Sequence, residues 1–229
     1  MEEQIEKEKK KVNIYKKIFI IFLCINVALL AFNLYLVYQE NSKQSCDLKP
    51  IIYLYPEEEK EISVELGNKD LITCSYPKYI SGWNVNAKPN GDLIDLDTNR
   101  NLYSLYYESE NIKQYKIEDY GFVVEGEKTA EFLEEKLAIL GLTDREAEEF
   151  IVYWLPKLEA NKYNYIRFAE AEEIDYNMPL IITPEPDTTI RVLMTYKGLN
   201  EKIDVKEQEL KQVERIGYTA VEWGGTEIK

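Results

Sequence analysis

The chain contains no histidine among its 229 residues. This absence excludes, within the chain, any catalysis in which histidine activates a serine or cysteine, and any zinc site built on imidazole. The GxGxxG, GxxxxGK[ST], GxSxG and CxxC patterns are also absent. Their absence argues against nucleotide-binding, α/β-hydrolase and thioredoxin-like classes. The sequence therefore predicts no cofactor and no metal site.

Basic residues are scarce after residue 38. The first 38 residues hold six basic and four acidic residues, which leaves 22 basic and 38 acidic residues in the rest of the chain, a net charge of −16. Because proteins bind phosphate backbones through a basic surface, the sequence predicts no nucleic-acid partner. An acidic surface of this kind can keep a protein soluble, bind a cationic partner or bind divalent ions. Solubility alone is sufficient to explain it.

Charge is completely absent from one apolar run, IFIIFLCINVALLAFNLYLVY, which spans residues 18–38. At about 1.5 Å per helical residue, this run reaches across the roughly 30 Å hydrocarbon layer of a bilayer. A cleaved secretory signal is the alternative, but it has a shorter apolar region of about 7 to 15 residues followed by small residues. The sequence LLAFN offers only Ala31 for that purpose. We therefore predict an uncleaved transmembrane helix in contact with the lipid bilayer.

The distribution of lysines predicts the orientation of this helix. Six lysines precede the apolar run, whereas only Lys43 and Lys49 follow it within a dozen residues. The positive-inside rule then places the N-terminus in the cytoplasm. We predict a single-pass protein of the cell membrane, with a cytoplasmic segment 1–17, a transmembrane helix 18–38, a tether 39–48 and an extracytoplasmic domain 49–229.

The three cysteines are distributed between these regions. Cys24 lies in the apolar run, whereas Cys46 and Cys74 belong to the predicted exported part, where disulfides form. A Cys46–Cys74 disulfide would close a loop of about 28 residues and stabilise the domain by roughly 3 kcal/mol. The alternative is two thiols that do not react with each other.

Two asparagines interrupt the apolar run. Asn26 and Asn33 are seven residues apart and so project from the same face of a helix. Amides in hydrocarbon can form hydrogen bonds between helices, which would give a helix-mediated oligomer. The alternative is that both amides face lipid or bond locally within their own helix.

The exported part combines strand patterns with helix patterns. Strands are predicted for the blocks KPIIYLYP, EISVEL, LITCSYP, NLYSLYYE and GFVVEG. A hairpin is predicted between EISVEL and LITCSYP. A second hairpin is predicted within GWNVNAKPNGDLIDLDT, with its turn at Asn90–Gly91. Apolar residues change to helical spacing in two blocks, EKTAEFLEEKLAILG and TDREAEEFIVYWLPKLEAN. Gly141 is predicted to cap the C-terminus of the first helix, and Thr143 with Glu146 to form a capping box at the start of the second. Strand patterns then return to the end of the chain. We predict an α+β fold: one mainly antiparallel β domain, sheet or sandwich, with an inserted helical hairpin.

Several blocks of the exported part resemble a family of bacterial cell-envelope and secreted proteins that open with a KPVIYLYP-type motif, often after a cysteine. The resemblance extends over about residues 46–225 and rests on these blocks: KPIIYLYPEEEKEISVEL, SYPKYISGWNVNAKPNGDLID, GFVVEGEKTAEFLEEKLAILGLTDREAEEFIVYWLPKLEANKYN, TPEPDTTIRVLM and VEWGG. It implies a common fold and export, and it supplies no activity and no catalytic residues. Members of the family often have a histidine near the position of Arg167, and any role that depends on that imidazole is absent here.

Acidic and aromatic residues remain as candidates for a site. Glycoside hydrolysis uses two carboxylates about 5 to 10 Å apart, and Glu108, Glu125, Glu127 and Glu222 are the candidates by their aromatic or glycine neighbours. Trp83 and Trp223 are candidates for a platform that binds sugar or peptide, with packing in the core as the alternative.

Three hypotheses follow from these residues. The first is an anchored extracytoplasmic binding or interaction module without catalysis of its own, whose ligand is a protein or glycan at the cell surface. The second is a carboxylate-dependent hydrolase of envelope glycan. The third is an accessory subunit of a membrane complex.

The predicted orientation can be tested on intact protoplasts. Protease added from outside should remove the domain that follows residue 48 and leave the first 38 residues in the membrane, as followed with tags at the two ends of the chain. A C-terminal tag that survives on intact protoplasts but not on lysed ones would contradict the predicted export.

Overall fold

Two units make up the structure, a helical unit of residues 1–43 and a domain of residues 44–229. This computed structural model describes residues 2–41 and 46–229. Residues 42–45, in the middle of the predicted tether, lie outside the described residues. The helix extends to Asn41 and the first strand begins at Cys46, so each takes up part of the segment predicted as tether.

The helical unit is the single helix α1, Glu2–Asn41. Its portion Tyr15–Leu36 has a mean hydropathy of 2.4, and the side chains described there are exposed, so the helix is long and apolar enough to span a membrane. The side-chain amides of Asn26 and Asn33 donate to the carbonyls of Phe22 and Leu29, both over 2.8 Å. Each amide therefore has a partner within its own helix, and helix-mediated association stays a prediction.

Residues 46–229, the described part of the domain, contain thirteen strands and three further α-helices. The strands are β1 Cys46–Tyr55, β2 Lys60–Leu66, β3 Ile72–Tyr76, β4 Trp83–Ala87, β5 Leu93–Asp95, β6 Asn101–Leu102, β7 Leu105–Glu110, β8 Tyr120–Glu125, β9 Tyr163–Phe168, β10 Leu180–Thr183, β11 Thr188–Leu199, β12 Lys206–Glu207 and β13 Thr219–Glu227. The helices are α2 Thr129–Ile139, α3 Asp144–Leu158 and α4 Ala171–Asn177.

The strands form two sheets. The large sheet has the order β12-β8-β9-β11-β13-β1-β7-β3, and the small sheet has the order β10-β2-β4-β5-β6. Pairing is antiparallel throughout except for β11 with β13 and β12 with β8. The structure therefore confirms a mixed α and β domain with mainly antiparallel sheets.

Side chains from both sheets meet in one hydrophobic core. Ile52 and Leu54 of β1 project from one face of the large sheet and pack with Ile62, Val64 and Val85 of the small sheet. Ile51 and Tyr53 alternate to the other face, as the period of two in a strand requires. They join a second core with Phe150, Trp154 and other residues of α2 and α3. The domain is thus layered as helices, large sheet and small sheet.

Local signals set the boundaries of the helical layer. The Thr143 hydroxyl accepts the N–H of Glu146, whose carboxylate accepts the N–H of Thr143 over 2.8 Å, which confirms the predicted capping box. Gly141 has φ +87 just after α2, the conformation expected of a glycine that ends a helix. Pro156 lies inside α3, and the helix continues past it to Leu158.

One hairpin prediction is confirmed and another is wrong. β4 and β5 pair through a turn in which the Gly91 N–H donates to the Lys88 carbonyl and Gly91 has φ +87. The predicted pairing of EISVEL with LITCSYP does not form. A short 3-10 helix, Lys69–Leu71, separates the two segments, and β3 joins β7 in the large sheet while β2 stays in the small one.

The structure also corrects the disulfide prediction. Cys46 pairs with Glu110 and Cys74 with Glu108, so the two cysteines lie on strands on opposite sides of β7. Two strand spacings separate their Cα atoms by roughly 10 Å, whereas a disulfide needs Cα atoms less than about 7 Å apart. No disulfide joins them.

Docking of α3 on the large sheet can be tested by truncating its buried face. The ring of Phe150 is fully buried, and its centroid lies 5.3 Å from that of Trp223. Phe150→Ala should therefore lower the free energy of unfolding by about 3 to 5 kcal/mol. Val152 on the opposite face of the helix is 68% exposed, so Val152→Ala should change it by less than about 0.5 kcal/mol. Urea unfolding checks both values, and equal effects would contradict this packing.

Candidate functional site

The helices leave one margin of the large sheet uncovered. The core beneath α2 and α3 takes fully buried side chains from β8, β9, β11, β13 and β1, and none from β7 or β3. Over this margin lies a cavity of about 570 Å³. Its floor is the sheet, one wall is Tyr153 of α3, and another is the segment 101–104, which comprises β6 and the two residues before β7. We call it the tyrosine pocket.

Four tyrosines dominate the tyrosine pocket, and apolar and polar side chains complete it. The lining residues are Lys49, Ile51, Tyr76, Asn101, Leu102, Tyr103, Ser104, Tyr106, Glu108 and Tyr153. Tyr76 and Tyr103 are each about half exposed, at 50% and 49%. The site thus combines exposed aromatic faces with hydroxyl, amide, ammonium and carboxylate groups, which is the usual composition of a small-ligand site.

Neighbouring residues hold the ring of Tyr103 in position. Its centroid lies 6.4 Å from that of Tyr53, and the Arg145 guanidinium lies 5.4 Å above it. Tyr53 in turn donates to the Glu149 carboxylate of α3 over 2.7 Å. Burial, together with this hydrogen bond, raises the pKa of Tyr53 above its ordinary value. The wall is therefore anchored to both β1 and α3 before any ligand arrives.

Lys49 enters the tyrosine pocket because the backbone of β1 is irregular there. Its φ is +55, and the pairing of β1 with both neighbouring strands shifts register around it. Its ammonium lies 4.7 Å from the centroid of Tyr153 and 5.5 Å from that of Trp223. Burial lowers the pKa of Lys49, and the nearby Glu149 carboxylate opposes this effect. A non-glycine residue held at positive φ is strained, and such strain clusters at functional sites.

Glu108 is the one predicted carboxylate that lines the tyrosine pocket. It is half-buried on β7, next to the phenol of Tyr106. Burial raises the pKa of Tyr106, and its hydrogen bond with the Glu108 carboxylate raises it further. The pair therefore presents a neutral phenol and a carboxylate side by side.

Glu222 lies in the layer between the sheets and has a structural role. Its carboxylate accepts from the Tyr107 hydroxyl over 2.7 Å and from Nε of Arg191 over 2.6 Å. Arg191 also binds the Asp175 carboxylate and the Met178 carbonyl. Burial lowers the pKa of Arg191, but Glu222, Tyr107 and Asp175 together outweigh it, and the net shift of the pKa is upwards. This carboxylate compensates the buried cation that the strand TTIRVLM carries.

The remaining two predicted carboxylates lie far from the tyrosine pocket. Glu125 ends β8 and binds the Lys202 ammonium over 2.9 Å, which lowers the pKa of that carboxyl. Glu127 is exposed in the next turn. Five strand spacings separate β8 from β7, so Glu125 and Glu108 are about 24 Å apart across the sheet. Glycosidase carboxylates need about 5 to 10 Å.

Glu222 and Glu108 do not converge either. Tyr107 contacts Glu222 on the face of the large sheet that packs on the small sheet. Glu108 is the next residue along β7 and so projects from the opposite face. Glu108, the predicted carboxylate that lines the tyrosine pocket, therefore faces none of the other three.

The tryptophans predicted as binding platforms are core residues, which corrects that prediction. Trp223 is 0% exposed and packs against Tyr53 and Phe150, while Trp83 is 2% exposed and donates its indole N–H to the Pro77 carbonyl over 2.9 Å. Neither ring face is open to a ligand. Aromatic residues that the sequence did not single out, Tyr103 and Tyr153, take that position instead.

Among the side chains that the structure describes, no three cysteine or acidic residues are grouped so that they could hold a metal ion.

No protein-family model matches the chain, and neither the curated proteins nor the solved structures compared with it include a match. The interpretation of the tyrosine pocket therefore depends on its own geometry.

The structural role of Glu222 can be separated from a catalytic one by measuring stability. Glu222→Gln removes the buried carboxylate beside Arg191 and leaves only the exposed Asp175 as its acidic partner, so it should lower the free energy of unfolding by about 3 kcal/mol in chemical denaturation. Glu125→Gln removes a carboxylate from a solvent-exposed ion pair and should leave the unfolding midpoint unchanged. A Glu222→Gln protein as stable as the unmodified chain would contradict the structural assignment.

Proposed function

We propose that this protein is a membrane-anchored extracytoplasmic binding module, and that the tyrosine pocket is its glycan-binding site. The module has no catalysis of its own. The single observation that carries the proposal is the cavity of about 570 Å³ in which four tyrosines surround a lysine, a glutamate, an asparagine and a serine.

Anchoring draws its support from α1. The portion Tyr15–Leu36 is apolar enough to span a bilayer, and the excess of lysine before it favours a cytoplasmic N-terminus. The resemblance of residues 46–225 to cell-envelope and secreted proteins favours the same placement. With this orientation the acidic domain lies on the outer face of the membrane.

The composition of the tyrosine pocket favours a glycan over a peptide. Sugar rings present flat C–H faces edged by hydroxyl groups, and phenol rings offer large apolar faces at low conformational entropy cost. The hydroxyls, Asn101, Ser104, Glu108 and Lys49 supply both donors and acceptors around those faces. The cavity volume falls within the range of about 300 to 1,000 Å³ typical of small-ligand sites.

The other two hypotheses have less support. A glycan hydrolase would require a second carboxylate facing Glu108, and among the described residues that line the tyrosine pocket Glu108 is the only acid. An accessory-subunit role would rest on Asn26 and Asn33, whose amides bond within α1.

Binding can be tested with the full-length chain in detergent. Cosedimentation with isolated peptidoglycan, competed with a soluble tetrasaccharide of N-acetylglucosamine, supplies the measurement. Tyr103→Ala removes an exposed aromatic face and should weaken binding about tenfold. Tyr176→Ala, which removes a 59% exposed tyrosine outside the tyrosine pocket, should have no effect.

Two results would refute the proposal. One is equal retention of the unmodified chain and the Tyr103→Ala variant on peptidoglycan. The other is retention that disappears when the wall preparation is freed of protein, since this would identify a protein ligand.

A further inference from the structure

The strand β8 has a main-chain edge that is only half covered. On its outer side, the Asp119 carbonyl accepts from the Lys206 N–H over 2.9 Å, and the Gly121 carbonyl accepts from the Gln208 N–H over 3.2 Å. Alternate residues of a strand direct their main-chain groups to the same side, so the N–H groups of Val123 and Glu125 also face outwards. In the described part of the chain, no strand pairs with them there.

Strand β12 ends before it covers this edge. β12 ends at Glu207, and the next residue, Gln208, is buried with its side-chain amide bonded to Phe168. That amide donates to the Phe168 carbonyl over 2.8 Å and accepts the Phe168 N–H over 2.9 Å. The pairing of β12 therefore stops opposite Gly121 and does not reach Val123.

A groove lies along the uncovered edge. Its cavity of about 370 Å³ is bounded by residues 121–124 of β8, by Phe132, Glu135 and Lys136 of α2, and by the segment 203–207. Phe132 packs edge-on against Phe122 with centroids 5.0 Å apart, and Ile203 is 36% exposed. The groove therefore offers apolar contacts beside unpaired main-chain groups. We call it the edge groove.

Charge around the edge groove favours a cationic occupant. Three exposed carboxylates line it, those of Glu135, Asp204 and Glu207, against the single ammonium of Lys136. That ammonium already lies 2.9 Å from Glu135 and 3.7 Å from Glu207. A second copy of the same acidic rim would repel the first, since like charges across a strand pair are destabilising.

We infer that the edge groove binds an extended basic peptide segment of a partner protein, which adds a strand to β8 beside Val123 and Glu125. Main-chain hydrogen bonds to the edge supply affinity, as in other proteins that recognise peptides by strand addition. Alternate side chains of the peptide contact Phe132 and Ile203 on one side of the added strand. Those on the other side meet the acidic rim, which consists of Glu135, Asp204 and Glu207. This site is separate from the tyrosine pocket, at the opposite margin of the helical layer.

The test uses the full-length chain in detergent and a fluorescein-labelled peptide of alternating lysine and valine, seven residues long. Fluorescence anisotropy should show saturable binding that weakens as salt is raised, because salt screens exposed charges. A peptide of the same length with glutamate in place of lysine should bind at least about tenfold more weakly. Hydrogen–deuterium exchange in the segment 120–126 should slow when the basic peptide binds.

Two variants separate the main-chain contribution from the charge contribution. Val123→Pro removes an edge donor and should weaken binding about tenfold. The double variant Asp204→Lys with Glu207→Lys reverses the charge of the carboxylates around the edge groove and leaves β8 unchanged. It should abolish the preference for the basic peptide. Glu57→Lys with Glu58→Lys reverses two exposed charges in the β1–β2 turn and should leave binding unchanged.

The inference is overturned if the basic peptide shows no saturable binding. It is equally overturned if Val123→Pro, folded by circular dichroism, and the double rim variant both bind like the unmodified chain. A dimer in sedimentation velocity that Val123→Pro dissociates would identify a second copy as the occupant and also overturn it.

Discussion

Burial of β13 on both of its faces is the constraint on which the domain depends. All residues of Thr219–Glu227 except the last are buried, between β1 on one side and β11 on the other. A charged side chain in such a strand is stable only with a close partner, and Glu222 meets Arg191 of the adjacent strand. Arg191 and Glu222 lie opposite each other in the parallel pair of β11 and β13, so their ion pair stabilises this register.

The two glycines of β13 show how tightly its faces are covered. A Cβ on Gly224 would lie 3.1 Å from Pro50, and one on Gly225 would lie 2.7 Å from Trp154. Two segments distant in sequence, the KPIIYLYP block and helix α3, therefore approach β13 closely because it has no side chains there. This close approach places α3 over the centre of the large sheet, and the margin formed by β7 and β3 stays uncovered. The tyrosine pocket occupies that margin, and the edge groove lies along β8 at the opposite one.

Signals that act within a few residues predicted structure well. The Thr143 capping box and the turn at Gly91 depend on hydrogen bonds between near neighbours, and both form as predicted. The hairpin of EISVEL with LITCSYP failed because alternation specifies which face of a strand is apolar but not which sheet covers that face. The Cys46–Cys74 bridge failed for a related reason, since β7 inserts between their strands.

The sequence by itself determined the uncharged run 18–38, the acidic character of the domain, the exclusion of histidine chemistry and the mainly antiparallel class. Each of these follows from composition or from local periodicity. Only the tertiary structure decided which residues form a site. Lys49, Tyr103 and Tyr153 meet because strand pairing and helix docking join segments about 50 to 100 residues apart, and the same packing buries Trp223. Exposure of an aromatic ring is a property of its neighbours in space, which local sequence patterns do not encode.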